Sequence, residues 1–175
     1  MRKTVLITGA SGVLGLEFAR IYAREGFDLV VVARSEGKLY KLKSELETQY
    51  DCHVWVLAQD LSQPDAAYEV FNYTLEKNIT IDALVNNAGF GDFGNFWEVD
   101  AQRQTDLLQV NIMTLVQLTR YFLPGMVERR HGSVLNLSSV AAFSAGPRMC
   151  LYYASKEFVR SFSEAVAEEV RSTGV

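Results

Sequence analysis

Thr4-Val5-Leu6-Ile7-Thr8-Gly9-Ala10-Ser11-Gly12-Val13-Leu14-Gly15 passes from a short apolar, β-branched run straight into a glycine-rich turn. Thr4–Thr8 predicts a buried strand, and a helix over Leu14–Arg24 begins inside the turn. Glycine permits the tight reversal and lets backbone approach a pyrophosphate, whose charge then sits at the positive end of the helix. Gly9, Ser11, Gly12, Leu14 and Gly15 are therefore candidate cofactor contacts. The spacing is G-x-x-G-x-x-G rather than G-x-G-x-x-G. No lysine follows to make a phosphate-binding P-loop, and Gly9-Ala10-Ser11-Gly12-Val13 lacks the closing glycine of a nucleophile elbow.

Outward from this turn, apolar strands and amphipathic helices alternate. Phe27–Ala33 predicts a second strand. Ser35 can cap a helix carrying Leu39, Leu42, Leu46 and Tyr50 at helical spacing. His53–Ala58 predicts a third strand, and Pro64-Asp65 opens a helix through Glu76. Ala83–Asn86 is a short fourth strand. A longer helix runs from near Asp100 to about Arg129, with distortion expected near Pro124. Ser133–Leu137 predicts a fifth strand and Leu151–Arg171 a final helix. Continuous apolar strands separated by helices imply a parallel sheet covered on both faces. The expected fold is a doubly wound α/β domain of three layers, the Rossmann architecture, as a single domain over 1–175.

The composition agrees with one packed domain. The chain has 175 residues, 49% of them hydrophobic and 22% charged, with a formal net charge of −4. Mild acidity argues against a general nucleic-acid binder. No stretch approaches the ~20 apolar residues of a membrane span, and Val5-Leu6-Ile7 is too short for a signal-peptide core. Two cysteines, Cys52 and Cys150, make no disulfide framework. Two histidines, His53 and His131, make no imidazole-rich metal site, so no metal is expected. A soluble, cytoplasmic protein is the expectation.

Three further positions carry chemistry. Where a site for NAD would have Asp or Glu after the second strand, this chain has Val32-Ala33-Arg34-Ser35. The charge and donor fork of Arg34 suit a 2′-phosphate, which points to NADP(H) over NAD(H). Tyr152 and Lys156 lie four apart on the last helix and so share a face. Ser138-Ser139 ends the fifth strand, at the carboxyl edge where open α/β sheets bind ligands. Asn111 interrupts a leucine stripe, so its amide points inward and needs a partner.

Thr8–Gly15, Asn86-Asn87-Ala88-Gly89, Asn111, Ser139 and Tyr152-Tyr153-Ala154-Ser155-Lys156 strongly resemble the short-chain dehydrogenase/reductase family, in the family's order along the whole chain. The resemblance implies that Tyr152 donates a proton to a carbonyl and that Ser139 holds the substrate oxygen. It implies that Lys156 binds the nicotinamide ribose and favours the Tyr152 phenolate, while Asn111 anchors a water leading to Lys156. Asp60, with Leu61 beside it, resembles the family's adenine contact, and Asn87-Ala88-Gly89 would line the cofactor. Members commonly pair through helices matching Asp100–Arg129 and Leu151–Arg171, so a homo-oligomer is expected.

The chain departs from the family in two ways. Compact members have T-G-x-x-x-G-x-G, whereas Gly12 and Val13 give T-G-x-x-G-x-x-G, a spacing found in the longer, epimerase-like branch. Asn-Asn-Ala-Gly and the brevity of the chain favour the compact branch. The chain also stops at Ser172-Thr173-Gly174-Val175, where the family continues into further strands, each strand–helix unit needing about 30 residues. The expected function is a carbonyl/alcohol oxidoreductase acting on a small molecule with NADP(H), in a domain lacking its last strands. The alternative is a nucleotide-binding scaffold or regulatory protein without turnover.

Overall fold

A computed structural model describes residues 2–175; Met1 of the expected domain lies outside the described residues. Five strands form one parallel sheet: β1 (Thr4–Thr8), β2 (Asp28–Ala33), β3 (Val54–Ala58), β4 (Ala83–Asn86) and β5 (Ser133–Asn136). Their order is β3-β2-β1-β4-β5. Leu6 pairs with Val30 on one side and Leu84 on the other. Sequence order reverses between β1 and β4, and ligands of open α/β sheets sit at the carboxyl end of such a switch point.

Alternation along the strands divides the core in two. Val5, Ile7, Leu29, Val31 and Val85 face α1 (Val13–Arg24) and α2 (Glu36–Gln49), meeting Ala19, Leu39, Leu42 and Leu46. Leu6, Val30, Val32 and Leu84 face the other way, with Val70 of α3 (Ala66–Glu76) and Leu118, Phe122 and Met126 of α5 (Leu115–Arg129). Both faces being covered explains why the strands are apolar throughout rather than alternating with polar residues. Truncating a fully buried leucine such as Leu6 or Leu84 costs about 2–5 kcal/mol.

The long helix differs from the sequence expectation. It consists of α4 (Ala101–Leu108), a π-helical turn over Gln109–Thr114, and α5. The irregular turn lies around Asn111, not at Pro124, which sits inside α5 without breaking it. Pro124 and Arg120, whose carbonyl it cannot bond, both lie on the exposed side, where water can serve the freed carbonyl. The wide turn at Asn111 answers to contacts outside the helix, as such turns often do at functional sites. The last helix, α6, spans Cys150–Val170.

Candidate active site

The glycine turn leaves β1 through Gly9, whose φ of +64° favours glycine. The turn is tied to β4 from both sides. The Thr8 hydroxyl accepts the backbone N–H groups of Asn87 and Ala88, both at 3.0 Å. The Asn87 amide donates to the carbonyls of Thr8 at 2.9 Å and Gly9 at 3.2 Å. A β-carbon on Gly9 would lie 2.9 Å from the Ala88 α-carbon.

The three glycines differ in what they require. A β-carbon on Gly15 would stand 2.2 Å from the Gly9 carbonyl oxygen, so no side chain fits. One on Gly12 would meet only that same oxygen, at 3.4 Å, an ordinary contact. Val13, where the compact pattern has glycine, is 81% exposed. The unusual spacing is thus a local variant: the middle glycine can shift by one residue because neither position is crowded by protein.

These residues fit a dinucleotide. Gly12 caps α1 with no side-chain hydrogen bond, which leaves N–H groups of the first turn free for a diphosphate. Ser11 lies in the turn and Leu14, half-exposed, one residue inside α1. Arg34 is exposed directly after β2, and Asp60 follows β3 at the same end of the sheet. Burial pushes the Asp60 carboxyl up, but hydrogen bonds from Ser62 and the Arg34 charge outweigh this and hold it below the usual range. Leu61 is buried, and its carbonyl accepts the Thr114 hydroxyl at 2.9 Å.

On the other side of the switch point stand the remaining expected residues. Tyr152 lies in the first turn of α6, and the Lys156 ammonium is 5.9 Å from its ring centre. Lys156 is 5% exposed and donates to the Leu137 carbonyl at 2.8 Å. Burial lowers its pKa below the ordinary lysine value. The loop after β4 closes on this pair. A β-carbon on Gly89 would lie 3.1 Å from Asn111 Oδ1 and 3.3 Å from Lys156 Nζ. Asn111, 1% exposed, finds the partners its inward position demands. Its Oδ1 accepts the Phe90 N–H at 3.0 Å, and its Nδ2 donates to the Phe90 carbonyl at 2.9 Å and to Ser155 Oγ at 3.1 Å. Ser139 caps the 3₁₀ turn Val140–Phe143, its hydroxyl oxygen accepting the Ala141 N–H at 3.1 Å.

Some contributors were not among the sequence candidates. Gly91 abuts Tyr152, since a β-carbon there would lie 3.2 Å from both a ring carbon and Met149 Cε. The Thr8 hydroxyl ties the glycine turn to the loop after β4, and the Phe90 backbone ties that loop to Asn111. A polar residue ending the first strand could have flagged Thr8; no local pattern marks Phe90 or Gly91. Beside Tyr152 a cavity opens, lined by Phe96, Val99, Leu107, Met149 and Leu151, with Asp92 and Arg148 also bordering it.

A parallel sheet reversing between β1 and β4, with a glycine turn on one flank and a tyrosine–lysine helix on the other, is an α/β domain of the dinucleotide-binding kind. The chain belongs to the short-chain dehydrogenase family: the family model described as short chain dehydrogenase matches residues 3–175. A very-long-chain 3-oxoacyl-CoA reductase of Pyrenophora tritici-repentis is 34% identical, aligned over 97% of this chain and 51% of its own. Its counterpart in Anas platyrhynchos is 33% identical over 97% of this chain and 55% of its own. The chain spans about half the length of these curated relatives. Among solved structures, a short-chain dehydrogenase from Sphingobium yanoikuyae in complex with NADPH superposes with a TM-score of 0.92. It is 34% identical, over 98% of this chain and 67% of that one. A 7beta-hydroxysteroid dehydrogenase matches with a TM-score of 0.94 and 30% identity, over 99% of this chain and 66% of that one. No helix among the described residues is long and apolar enough to cross a membrane.

Proposed function

We propose that the protein is an NADP(H)-dependent oxidoreductase that interconverts a carbonyl and an alcohol, with Tyr152 as general acid and base. The observation that carries this reading is the convergence of Tyr152 and Lys156 with the Gly89–Gly91 loop, at the end of the sheet where the glycine turn also lies.

The nicotinamide, when bound, supplies or accepts the hydride. The chain's own residues manage the oxygen. In the reducing direction the Tyr152 hydroxyl gives its proton to the carbonyl oxygen as that oxygen gains charge. Ser139 Oγ donates a hydrogen bond to the same oxygen, a stabilisation that grows as charge develops. Lys156, held by Leu137 and shielded from water, keeps a cation beside the phenol and binds the nicotinamide ribose. Its desolvation strengthens its field at short range. Asn111 holds Phe90, and with it the Asn87-Ala88-Gly89 segment that lines the cofactor; a water at this turn would carry protons onward to Lys156. Asp60 contacts the adenine and Arg34 the 2′-phosphate.

The substrate is a carbonyl compound with an apolar body. The apolar side chains gathered beside Tyr152 support this, Phe96, Val99, Leu107, Met149 and Leu151, with Asp92, Gln104 and Arg148 among them. Relatives named for 3-oxoacyl thioester and hydroxysteroid substrates support it as well. Pairing of two copies through α4–α5 and α6 accompanies this reading.

The test is oxidation of NADPH against a panel of 3-oxoacyl thioesters and bulky ketones, alongside NADPH titration. Turnover with at least one apolar ketone is expected. Tight NADPH binding without turnover across the panel would instead identify a nucleotide-binding scaffold.

A further inference from the structure

Ser155 is fully buried, at 0% exposure, and takes no part in the chemistry above. Its hydroxyl joins two parts of the site. It donates to the Tyr152 carbonyl at 2.7 Å and accepts from Asn111 Nδ2 at 3.1 Å. The first bond is the ordinary return of a helical serine to the preceding turn. The second is not local, because Asn111 belongs to the π-helical turn and is itself bonded to both backbone groups of Phe90. Hydrogen bonds therefore run without a break from the loop after β4, through Asn111 and Ser155, to the backbone of Tyr152.

Ser163 provides an internal comparison on the same helix. Its hydroxyl donates to the Val159 carbonyl at 2.7 Å and accepts from Asn136 Nδ2 at 3.0 Å. The bonding is equivalent, but its partner lies on β5 and leads neither to Phe90 nor to Tyr152.

We propose that Ser155 is a positioning residue, which locks the first turn of α6, and with it Tyr152, to the cofactor-side loop through Asn111. Its consequence for turnover rests on the oxidoreductase reading above; the locking itself does not. Three elements converge here: the loop from Gly89 to Gly91, the π turn and α6. Gly91 packs against the Tyr152 ring, and the Ser155 hydroxyl bonds its backbone carbonyl. With the hydroxyl gone, the Tyr152 carbonyl keeps only its helical partner, the Lys156 N–H, and one Asn111 N–H loses its acceptor. The helix start can then shift against the loop while the glycine turn, Arg34 and Asp60 stay as they are.

The experiment compares wild type, Ser155→Ala, Ser155→Cys, Asn111→Ala, the Asn111→Ala/Ser155→Ala double variant and Ser163→Ala. NMR of cofactor-free protein carrying isotope-labelled tyrosine follows the Tyr152 signal, identified by its loss in Tyr152→Phe. One sharp Tyr152 signal is expected in wild type and Ser163→Ala, and a broadened or displaced one in Ser155→Ala. Ser155→Cys preserves shape with weaker bonding and should fall between; it carries the test if Ser155→Ala does not fold. In turnover, Ser155→Ala should lower kcat on the order of tenfold or more, with the KM for NADPH unchanged. The double variant should lose no more than Asn111→Ala, because one linkage cannot be cut twice. A Tyr152 signal in Ser155→Ala or Ser155→Cys identical to wild type, or losses that multiply in the double variant, would overturn the proposal. A wild type that oxidises no NADPH refutes the oxidoreductase reading alone, and the NMR comparison still decides the role of Ser155.

Discussion

The Lys156 ammonium lies 5.9 Å from the centre of the Tyr152 ring while donating to the Leu137 carbonyl at 2.8 Å. One turn of helix brings cation and phenol together, and the end of β5 fixes where the cation stands. Tyr153, the adjacent residue, has no such relation. Glu157 lies four residues on from it, and its ring packs on Gly146, where a β-carbon would come within 2.2 Å.

Tyr152→Phe removes only the hydroxyl. NADPH titration should give unchanged binding, while carbonyl reduction falls by about 10²-fold or more, as expected for loss of a general acid. Tyr153→Phe should retain turnover. The reverse pattern in the same assay would mean that the wrong tyrosine has been assigned.

Arg34→Asp exchanges a partner of the 2′-phosphate for a repelling charge. Wild type should bind NADPH more tightly than NADH, and the variant should reverse that order. A bidentate charged contact is worth roughly 1.5–3 kcal/mol, so the swing in relative affinity should be at least tenfold. Equal wild-type affinities for the two cofactors would refute the assignment.

The glycines of the first turn should respond unequally. Gly15→Ala forces a β-carbon into the Gly9 carbonyl and should lower stability by about 1–3 kcal/mol, although alanine favours helix. Gly12→Ala should fold normally, since its β-carbon meets a single atom at ordinary distance. Thermal unfolding of the two variants checks this. Equal Tm values would mean that the turn relaxes without penalty.

Lys156 makes stability depend on pH in the alkaline range. Its folded pKa is depressed by burial, so the unfolded chain binds more protons between that value and the ordinary ~10.4. Its contribution is complete above the ordinary value and is lost as pH falls through the folded pKa. Urea unfolding of wild type and Lys156→Met should therefore show wild type gaining relative stability as pH rises toward the ordinary lysine value. A difference that stays flat across that window would argue that the ammonium is better solvated than its burial implies.

Local periodicity made most of the architecture legible. Strand and helix repeats are short-range properties, so Thr4–Thr8, the leucines of α2 and the shared face of Tyr152 and Lys156 could be read from neighbours alone. The place of Arg34 directly after the second strand was legible from the order of elements that follows the glycine turn. Packing decided the rest. The helix irregularity lies at Asn111 rather than Pro124 because Asn111 bonds to Phe90, 21 residues away. No window around Pro124 contains that contact. The difference between Gly12 and Gly15 depends on where the Gly9 carbonyl comes to lie, and the seam from Thr8 to Asn87 and Ala88 crosses 79 and 80 residues. Spacing can nominate residues for a site, but steric limits and hydrogen-bond partners between distant backbones exist only once the sheet has brought β1, β4 and α6 together.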